Sequence, residues 1–232
     1  MRISGFAARL GTALAIEVVA AGMAPMTRAA TVAGVVAIVE RDGARGDPSS
    51  AVVWIEGAPG PPPSPERAAI TMRGKAFEPA VLSLPVGSRL AFPNADPILH
   101  NVFSVSADNQ FDLGLYPRGP GREVVLRSPG IVRVFCNVHP QMEALVVVTP
   151  GRWVARPAAD GRFSISDVPD GRYTVRVWHE RGGSGESQVE LTAGNVPEVE
   201  IRLDASAWRR RPHLDKNGRP YQGAQGATRD PY

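Results

Sequence analysis

The sequence predicts an all-β protein. Its 232 residues include 22 prolines and 24 glycines, residue types that break helices and occupy tight turns. Short runs rich in valine, isoleucine and aromatic residues lie between these turn residues, a composition typical of strands. From residue 160 onward, apolar and polar residues alternate, as they do in antiparallel strands that are buried on one face. A chain of this length holds one large domain or two small ones.

The first part of the chain predicts two strands and a linker. The strands are expected over residues 32–39 and 51–56. Residues 57–65 then contain five prolines and two glycines, which favours a stiff, extended connection. Residues 31–66 are therefore expected to be N-terminal strands followed by a proline-rich linker.

Residues 67–150 predict a compact β domain. Eight short candidate strands lie between residues 68 and 148. Turn residues such as Pro93-Asn94 and Pro129-Gly130 separate them. Short strands at this spacing favour a sandwich or a barrel.

Residues 151–204 predict a second, smaller sandwich. Tyr173, Val175 and Val177 share one face of a strand, and the alternation places Trp178 on the other face. Four strands bury little core by themselves. We therefore expect the strands of residues 31–66 to pair with this segment, which would make residues 67–150 an insertion.

The N-terminus predicts an export signal over residues 1–30. Arg2 and Arg9 precede an apolar run and small residues follow it, in the pattern of a cleavable signal peptide. The alternative is a short buried helix, because Glu17 interrupts the run. Export would place the protein in the periplasm or outside the cell. No later segment is apolar over the length that a membrane span requires.

The C-terminal residues 205–232 predict a disordered basic tail, because they are polar and lack an apolar period. Within them we expect Trp208 to dock locally and His213 to lie in solvent. The net charge is only +3, and the excess of basic residues lies at the ends of the chain. No basic stripe is interleaved with aromatic residues, which argues against a nucleic-acid partner. His179 is expected to be a structural histidine at a strand end.

One stretch, Phe135 to Met142, concentrates soft metal donors. Cys136, His139 and Met142 follow a Cys-x2-His-x2-Met spacing between two predicted strands. The chain has a single cysteine, so no intramolecular disulfide forms, and a metal-bound thiolate would explain an unpaired thiol in an exported protein. A second histidine is available at His100, on another predicted strand. Two histidines, one cysteine and a weak axial methionine are the donor set of a type 1 (blue) copper site.

Each donor alone has an ordinary structural explanation. A lone cysteine can be a small buried thiol, and a lone methionine usually fills a core. His139 could be a turn histidine and His100 a strand histidine. The combination, with strands on both sides of the loop, favours copper.

The same residues resemble the cupredoxins. The pair His100-Asn101, the Cys-x2-His-Pro-x-Met loop and the run Val86 to Asn94 are similar to the amicyanin and plastocyanin branch. The whole chain is also similar to plastocyanin-like "methylamine utilization" proteins. Residues 161–175 resemble carboxypeptidase-regulatory, transthyretin-like modules. The resemblance implies a cupredoxin Greek-key β-sandwich beside a small transthyretin-like β-sandwich.

The resemblance also implies roles for individual residues. One copper ion would bind His100, Cys136 and His139 in a plane, with Met142 as the axial ligand. Asn101 would tie the two ligand segments together through its side chain. Asn137 stands where relatives often have Ser or Thr. Independently of the resemblance, Pro140 fixes φ beside His139 and is expected to stiffen the loop; together the three residues would orient the ligands. Electrons would pass through an exposed edge of His139, within a weakly polar patch formed by Pro97, Ile98, Pro140 and Gln141.

These expectations predict a periplasmic one-electron carrier rather than an enzyme, because four donors leave no open position for a substrate. Its partner would be a redox protein such as a c-type cytochrome or a periplasmic dehydrogenase. Two alternatives stay open. One is copper handling, as a sink or chaperone. The other is an envelope module that binds carbohydrate or protein, for which an exposed Trp178 would be a sign.

Overall fold

The computed structural model describes residues 29–192, 195, 197–210 and 212–221, so the predicted export signal lies almost entirely outside the described residues. The described residues form β-strands and two short 3-10 helices, and the all-β class is confirmed. The first nine strands are β1 (Ala29–Val39), β2 (Arg45–Gly46), β3 (Val52–Glu56), β4 (Arg67–Ala69), β5 (Thr71–Arg73), β6 (Ala76–Glu78), β7 (Val81–Pro85), β8 (Arg89–Asn94) and β9 (His100–Ser104). The next nine are β10 (Phe111–Tyr116), β11 (Gly119–Val125), β12 (Gly130–Phe135), β13 (Glu143–Thr149), β14 (Val154–Ala155), β15 (Arg162–Pro169), β16 (Gly171–His179), β17 (Gly183–Leu191) and β18 (Glu198–Asp204). The 3-10 helices span Arg41–Gly43 and Ala107–Asn109.

Strands from both ends of the chain build one sandwich, which we call the outer sandwich. In its first sheet β1 lies between β15 and β18, and β2 pairs with β1. The second sheet has the order β14-β3-β16-β17. Alternate residues of β1 are buried, because one face of the strand packs on the core and the other faces outward. The N-terminal strands thus supply the partners of β15, β16 and β18.

The chain between β3 and β14 forms a second sandwich, which we call the inserted sandwich. One sheet has the order β10-β9-β12-β13-β7, and the other has β11-β8-β5-β6 with β4 paired to β8. Its core includes Phe77, Leu90, Phe92, Val132 and Val146. β3 and β14 pair with each other, Trp54 opposite Val154, so the chain enters and leaves the insertion at one place.

A separate apolar cluster joins the two sandwiches. It consists of Val52, Leu145, Val147 and Trp178. Trp178 lies on the face of β16 turned away from the outer sandwich core, as the alternation predicts, yet it is only 8% exposed because the inserted sandwich covers that face. β13 is buried on both faces for the same reason.

Two local details differ from the predicted strands. The single strand expected over residues 68–72 is divided into β4 and β5, and the hairpin of β5 with β6 was not predicted. Three-residue strands are too short to show a period in the sequence. Within the described ranges no helix is long or apolar enough to cross a membrane.

The joint between the sandwiches should contribute measurably to stability. Leu145→Ala removes apolar contacts from the fully covered cluster and should lower the free energy of unfolding by about 2–5 kcal/mol. Leu115→Ala is the matched control, since Leu115 is 56% exposed, and it should change that free energy by no more than about 0.5 kcal/mol. Urea unfolding followed by tryptophan fluorescence measures both. Equal effects of the two substitutions would show that the joint is not packed as described.

His179 should make the protein less stable in acid. Its buried ring accepts a hydrogen bond at Nδ1 from the Gly182 N–H, 3.2 Å away. Burial, and then the positive charge of Arg181, hold the pKa of His179 below its ordinary 6.5. Well above pH 6.5 the ring is neutral in both states. As the pH falls below 6.5, the unfolded chain takes up a proton that the folded chain resists, so unfolding becomes more favourable.

His179→Gln should therefore lose less unfolding free energy than the wild type between about pH 7 and about pH 5. The measurement is the urea-unfolding free energy of both proteins at each pH, so that groups common to both cancel. An identical acid slope would contradict a depressed pKa at this position.

Candidate metal centre

Three strands have one of their ends at the same pole of the inserted sandwich, and these ends position the predicted ligands. His100 is the first residue of β9, Cys136 follows β12 and Met142 precedes β13. β12 and β13 pair along their whole length, so residues 136–142 are the connection of an antiparallel hairpin. Two hydrogen bonds close this loop: the Cys136 N–H donates to the Met142 carbonyl at 3.3 Å, and the Met142 N–H donates to the His139 carbonyl at 3.0 Å.

The structure brings three donor atoms together at this pole. Cys136 Sγ lies 3.8 Å from His100 Nδ1 and 3.7 Å from His139 Nδ1. The two Nδ1 atoms are 3.1 Å apart. The residues are almost completely enclosed, with exposures of 0% for His100 and Cys136 and 6% for His139. Among the described residues these three form a group that could hold a metal ion.

The spacing of these donors fits a bound transition metal. Metal–nitrogen bonds are about 2.0–2.1 Å long and metal–thiolate bonds about 2.3 Å. Three donors around one ion in a plane would then lie about 3.5–3.8 Å apart. The sulfur–nitrogen distances of 3.7 and 3.8 Å match that range. The nitrogen–nitrogen distance of 3.1 Å is shorter, which would correspond to a nitrogen–metal–nitrogen angle below about 120°. One thiolate and two imidazoles also match copper in chemical type.

The environment prepares the cysteine for metal binding. Burial alone would raise the pKa of Cys136, but hydrogen bonds from the His100 ring and from backbone N–H groups outweigh it and lower the pKa below 9.0. The Val138 N–H is one of these donors, 3.5 Å from Sγ. Burial alone would likewise lower the pKa of His100, but contacts with Cys136 and Asp96 raise it above 6.5. The thiolate, which is the metal-binding form of cysteine, is therefore favoured.

Met142 lies at the base of the loop and is 1% exposed. It belongs to the same apolar core cluster as Cys136. Its backbone bonds to Cys136 and His139, and its predicted axial role stays a prediction.

Asn101 differs from its predicted role. Its side chain does not bridge to the ligand loop but donates from Nδ2 to Asp112 Oδ1 on the neighbouring strand, at 2.7 Å. The pairing of β9 with β10 explains this, because it sets Asn101 opposite Leu115 next to an irregularity that brings Asp112 close. The link from Asn101 to Cys136 runs instead through its backbone N–H.

A C-terminal segment covers the outer surface of the ligand loop. Residues 212–221, which we call the strap, form an irregular chain after β18. The His213 ring stacks on Phe135, with ring centroids 4.0 Å apart. Its Nε2 lies 2.9 Å from the Pro140 carbonyl oxygen. His213 therefore packs on the loop rather than lying in solvent as predicted.

Further polar contacts fasten the strap. The Tyr221 hydroxyl donates to the Cys136 carbonyl at 2.9 Å. The Lys216 N–H donates to Asn137 Oδ1 at 2.9 Å, and Lys216 Nζ lies 2.6 Å from Asp112 Oδ2. Two of the predicted orienting residues, Asn137 and Pro140, thus contact the strap. These contacts differ from the disorder predicted for residues 205–232, of which 211 and 222–232 lie outside the described residues.

The predicted exchange surface is partly present. Pro97, Pro140 and Gln141 are exposed and Ile98 is half-buried. His139 itself presents little surface, so the expected exposed edge is small. Two larger apolar side chains from the same segments add to this end of the molecule, Leu99 at 51% and Val138 at 42% exposure.

Sequence reasoning missed three residues that contact the ligands or their neighbours: Asp96, Asp112 and Tyr221. Asp96 lies two residues after Asn94 and directly before Pro97, a turn pattern in which an Asp side chain binds backbone N–H groups. That pattern could have marked it. Tyr221 lies 85 residues from Cys136 along the chain, and no periodicity predicts such a contact.

Removing the strap should expose the ligand loop. In copper-free protein Cys136 is the sole cysteine and is fully buried, so its reaction with an aromatic disulfide reagent reports loop opening. Truncation after residue 211 should accelerate this reaction about tenfold or more, since it removes hydrogen bonds worth about 1 kcal/mol each.

Two controls separate the strap from general effects of truncation. A chain ending at Tyr221 retains every described strap contact and should react at the wild-type rate. Tyr221→Phe removes one hydrogen bond and should fall between the two. If the chain truncated after residue 211 reacts no faster than the wild type, the strap does not protect the loop.

Comparisons with known proteins give partial matches. No family model matches the chain, and no curated protein matches it. A purple cupredoxin from Nitrosopumilus maritimus is 24% identical and matches 35% of this chain and 99% of its own, with a TM-score of 0.32. A reduced amicyanin variant is 18% identical and matches 42% of this chain and 98% of its own, with a TM-score of 0.34.

A copper-containing nitrite reductase from Thermus scotoductus SA-01 is 25% identical and matches 40% of this chain, with a TM-score of 0.34. The match covers only 24% of the reductase chain. The part of this chain that corresponds in architecture is the inserted sandwich, which has two facing sheets and the ligand loop at one pole.

Proposed function

We propose that the protein is a one-electron carrier with a type 1 copper centre. The observation that carries this proposal is the convergence of His100 Nδ1, Cys136 Sγ and His139 Nδ1, three buried donor atoms within 3.8 Å of one another. Met142, buried at the base of the same loop, is the proposed axial donor. Copper bound there would supply one-electron redox chemistry.

The protein's contribution is a fixed and enclosed set of donors. His100 is held by the pairing of β9, and Cys136 and Met142 by the hairpin of β12 and β13. Because strands fix both ends of the loop, the donors keep similar positions in both oxidation states, which favours rapid electron transfer. Burial excludes water, and four protein donors leave no open position for a substrate. A carrier rather than an enzyme fits this arrangement.

The route of electrons and the partner belong to the same proposal. His139 lies between the exposed residues Val138 and Pro140, so electrons would leave the centre through its side of the loop. The surrounding apolar surface suits the brief contact of two redox proteins. A periplasmic partner such as a c-type cytochrome or a dehydrogenase would fit the export signal predicted over residues 1–30.

The alternative of a carbohydrate-binding or scaffold module loses its main support. That alternative needed an exposed aromatic residue on the strand face, and Trp178 is buried in the joint between the sandwiches. Copper storage or delivery uses the same donors, and the behaviour of the bound copper separates it from electron transfer.

The decisive experiment adds Cu(II) to the purified full-length protein and records its visible spectrum. We expect an intense blue thiolate-to-copper band at one copper per chain. Ascorbate should bleach the band and ferricyanide should restore it, with copper retained after desalting. A colourless protein would contradict the proposal, and a blue protein that loses copper to a Cu(I) chelator on reduction would favour copper handling.

Two variants make the result specific. Cys136→Ser should abolish the band, because no other thiolate is present in the chain. His179→Gln is the matched histidine control, since His179 lies in the outer sandwich at the end of β16, and it should leave the band unchanged. Colour that survives Cys136→Ser would show that the copper binds elsewhere.

A further inference from the structure

A buried carboxylate lies directly behind one candidate ligand. Asp96 Oδ2 is 2.9 Å from His100 Nε2, on the side of the ring opposite Nδ1 and Cys136. Asp96 is 7% exposed and His100 is fully buried. This contact is therefore shielded from water, where a charged hydrogen bond is stronger than at a surface.

The structure holds this carboxylate in place independently of the histidine. The Gly74 N–H donates to Asp96 Oδ1 at 2.6 Å, and the Lys75 N–H donates to Oδ2 at 2.9 Å. Both donors lie in the turn between β5 and β6, on the sheet opposite β9. Asp96 thus connects the two sheets at the ligand pole.

A second side chain fixes the turn that carries Asp96. The Asp96 N–H donates to Asn94 Oδ1 at 2.9 Å. Asn94 Nδ2 in turn lies 2.9 Å from the Ile98 carbonyl oxygen and 3.3 Å from that of Tyr116. Hydrogen bonds from the Asn94 side chain therefore hold the turn of residues 94–98 in one conformation, and this conformation positions the Asp96 carboxylate.

Both oxygens of this carboxylate accept hydrogen bonds from backbone N–H groups, Oδ1 from Gly74 and Oδ2 from Lys75. An aspartate carboxylate has only acceptor sites, so in its contact with His100 the imidazole donates its Nε2 proton. Donation of that proton to a carboxylate fixes the ring orientation, leaves Nδ1 for the metal and makes the imidazole a stronger base.

We infer that Asp96 is a positioning residue that sets the reduction potential of the centre through His100. The inference rests on the proposed copper function and adds the control of its potential. A more basic imidazole and a buried negative charge both stabilise the oxidised ion, which carries the larger positive charge, more than the reduced ion. Asp96 therefore lowers the potential relative to a neutral residue at the same place.

The first test compares potentials. Full-length wild type and Asp96→Asn, both loaded with copper, are titrated against redox mediators while the blue band is recorded. At a fixed ambient potential the ratio of reduced to oxidised protein should rise at least tenfold in Asp96→Asn, which is an upward shift of at least 59 mV for one electron. A retained blue band shows that the donor set is still assembled.

Asp112→Asn is the matched control for removal of a nearby carboxylate. Asp112 bonds the Asn101 side chain and Lys216 rather than a ligand ring, and its side chain is 40% exposed. Solvent screens its charge, so its effect on the ratio should be at least threefold smaller than that of Asp96→Asn. Equal effects of the two substitutions, or a ratio in Asp96→Asn within threefold of the wild type, would overturn the inference.

The second test does not need copper. In copper-free protein labelled with nitrogen-15, the His100 Nε2 proton should be visible in long-range proton–nitrogen spectra and exchange slowly with solvent. Asp96→Asn should accelerate this exchange at least tenfold. A wild-type His100 without a protected Nε2 proton would overturn the positioning role. If the proton is protected but the wild type never turns blue with Cu(II), the proposed function fails while the Asp96–His100 contact stands.

Discussion

The structure depends on one hairpin whose two strands are paired on their outer sides as well as with each other. β12 lies between β9 and β13, and β13 lies between β12 and β7. The connection of this hairpin cannot move far, because neighbouring strands hold both of its ends. Cys136, His139 and Met142 all lie on that connection or at its end, and β9 brings His100 to the same pole. Strand pairing therefore brings the donor atoms to one place.

The sequence carried much of this information in periodic and local patterns. Alternation predicted the strands of the outer sandwich, and the spacing of Cys136 and His139 marked two side chains that the structure sets 3.7 Å apart. The features that the sequence could not predict are contacts between parts of the chain that are distant in sequence. Trp178 has the outward position that alternation gives it, and only the inserted sandwich buries it. Asp96, Asp112 and Tyr221 act through single polar contacts between distant segments, which leave no period to detect.

The two sandwiches are linked by the path of the chain as well as by packing. The inserted sandwich lies between the two chain segments that build the outer one. β1 and β3 pair with strands that lie about a hundred residues or more later in the chain, beyond the insertion, so the outer sandwich cannot close until the inserted one has been traversed. Contacts between such distant segments generally slow folding. The insertion itself starts and ends on the paired strands β3 and β14, which is where a domain can be accommodated with little disturbance. The cluster around Leu145 and Trp178 then fixes the pole of ligands relative to the rest of the chain.

The strap covers the outer surface of the ligand loop. Any molecule that touches the Cys136 carbonyl, Asn137 or the Pro140 carbonyl must first displace Tyr221, Lys216 or His213. The measured dissociation constant for such a molecule equals its intrinsic value divided by the fraction of protein with the strap open. Affinity at this surface therefore depends on the binding molecule and on residues 212–221. Two preparations that differ only in whether they retain these residues would rank the same molecules in the same order but with different apparent dissociation constants.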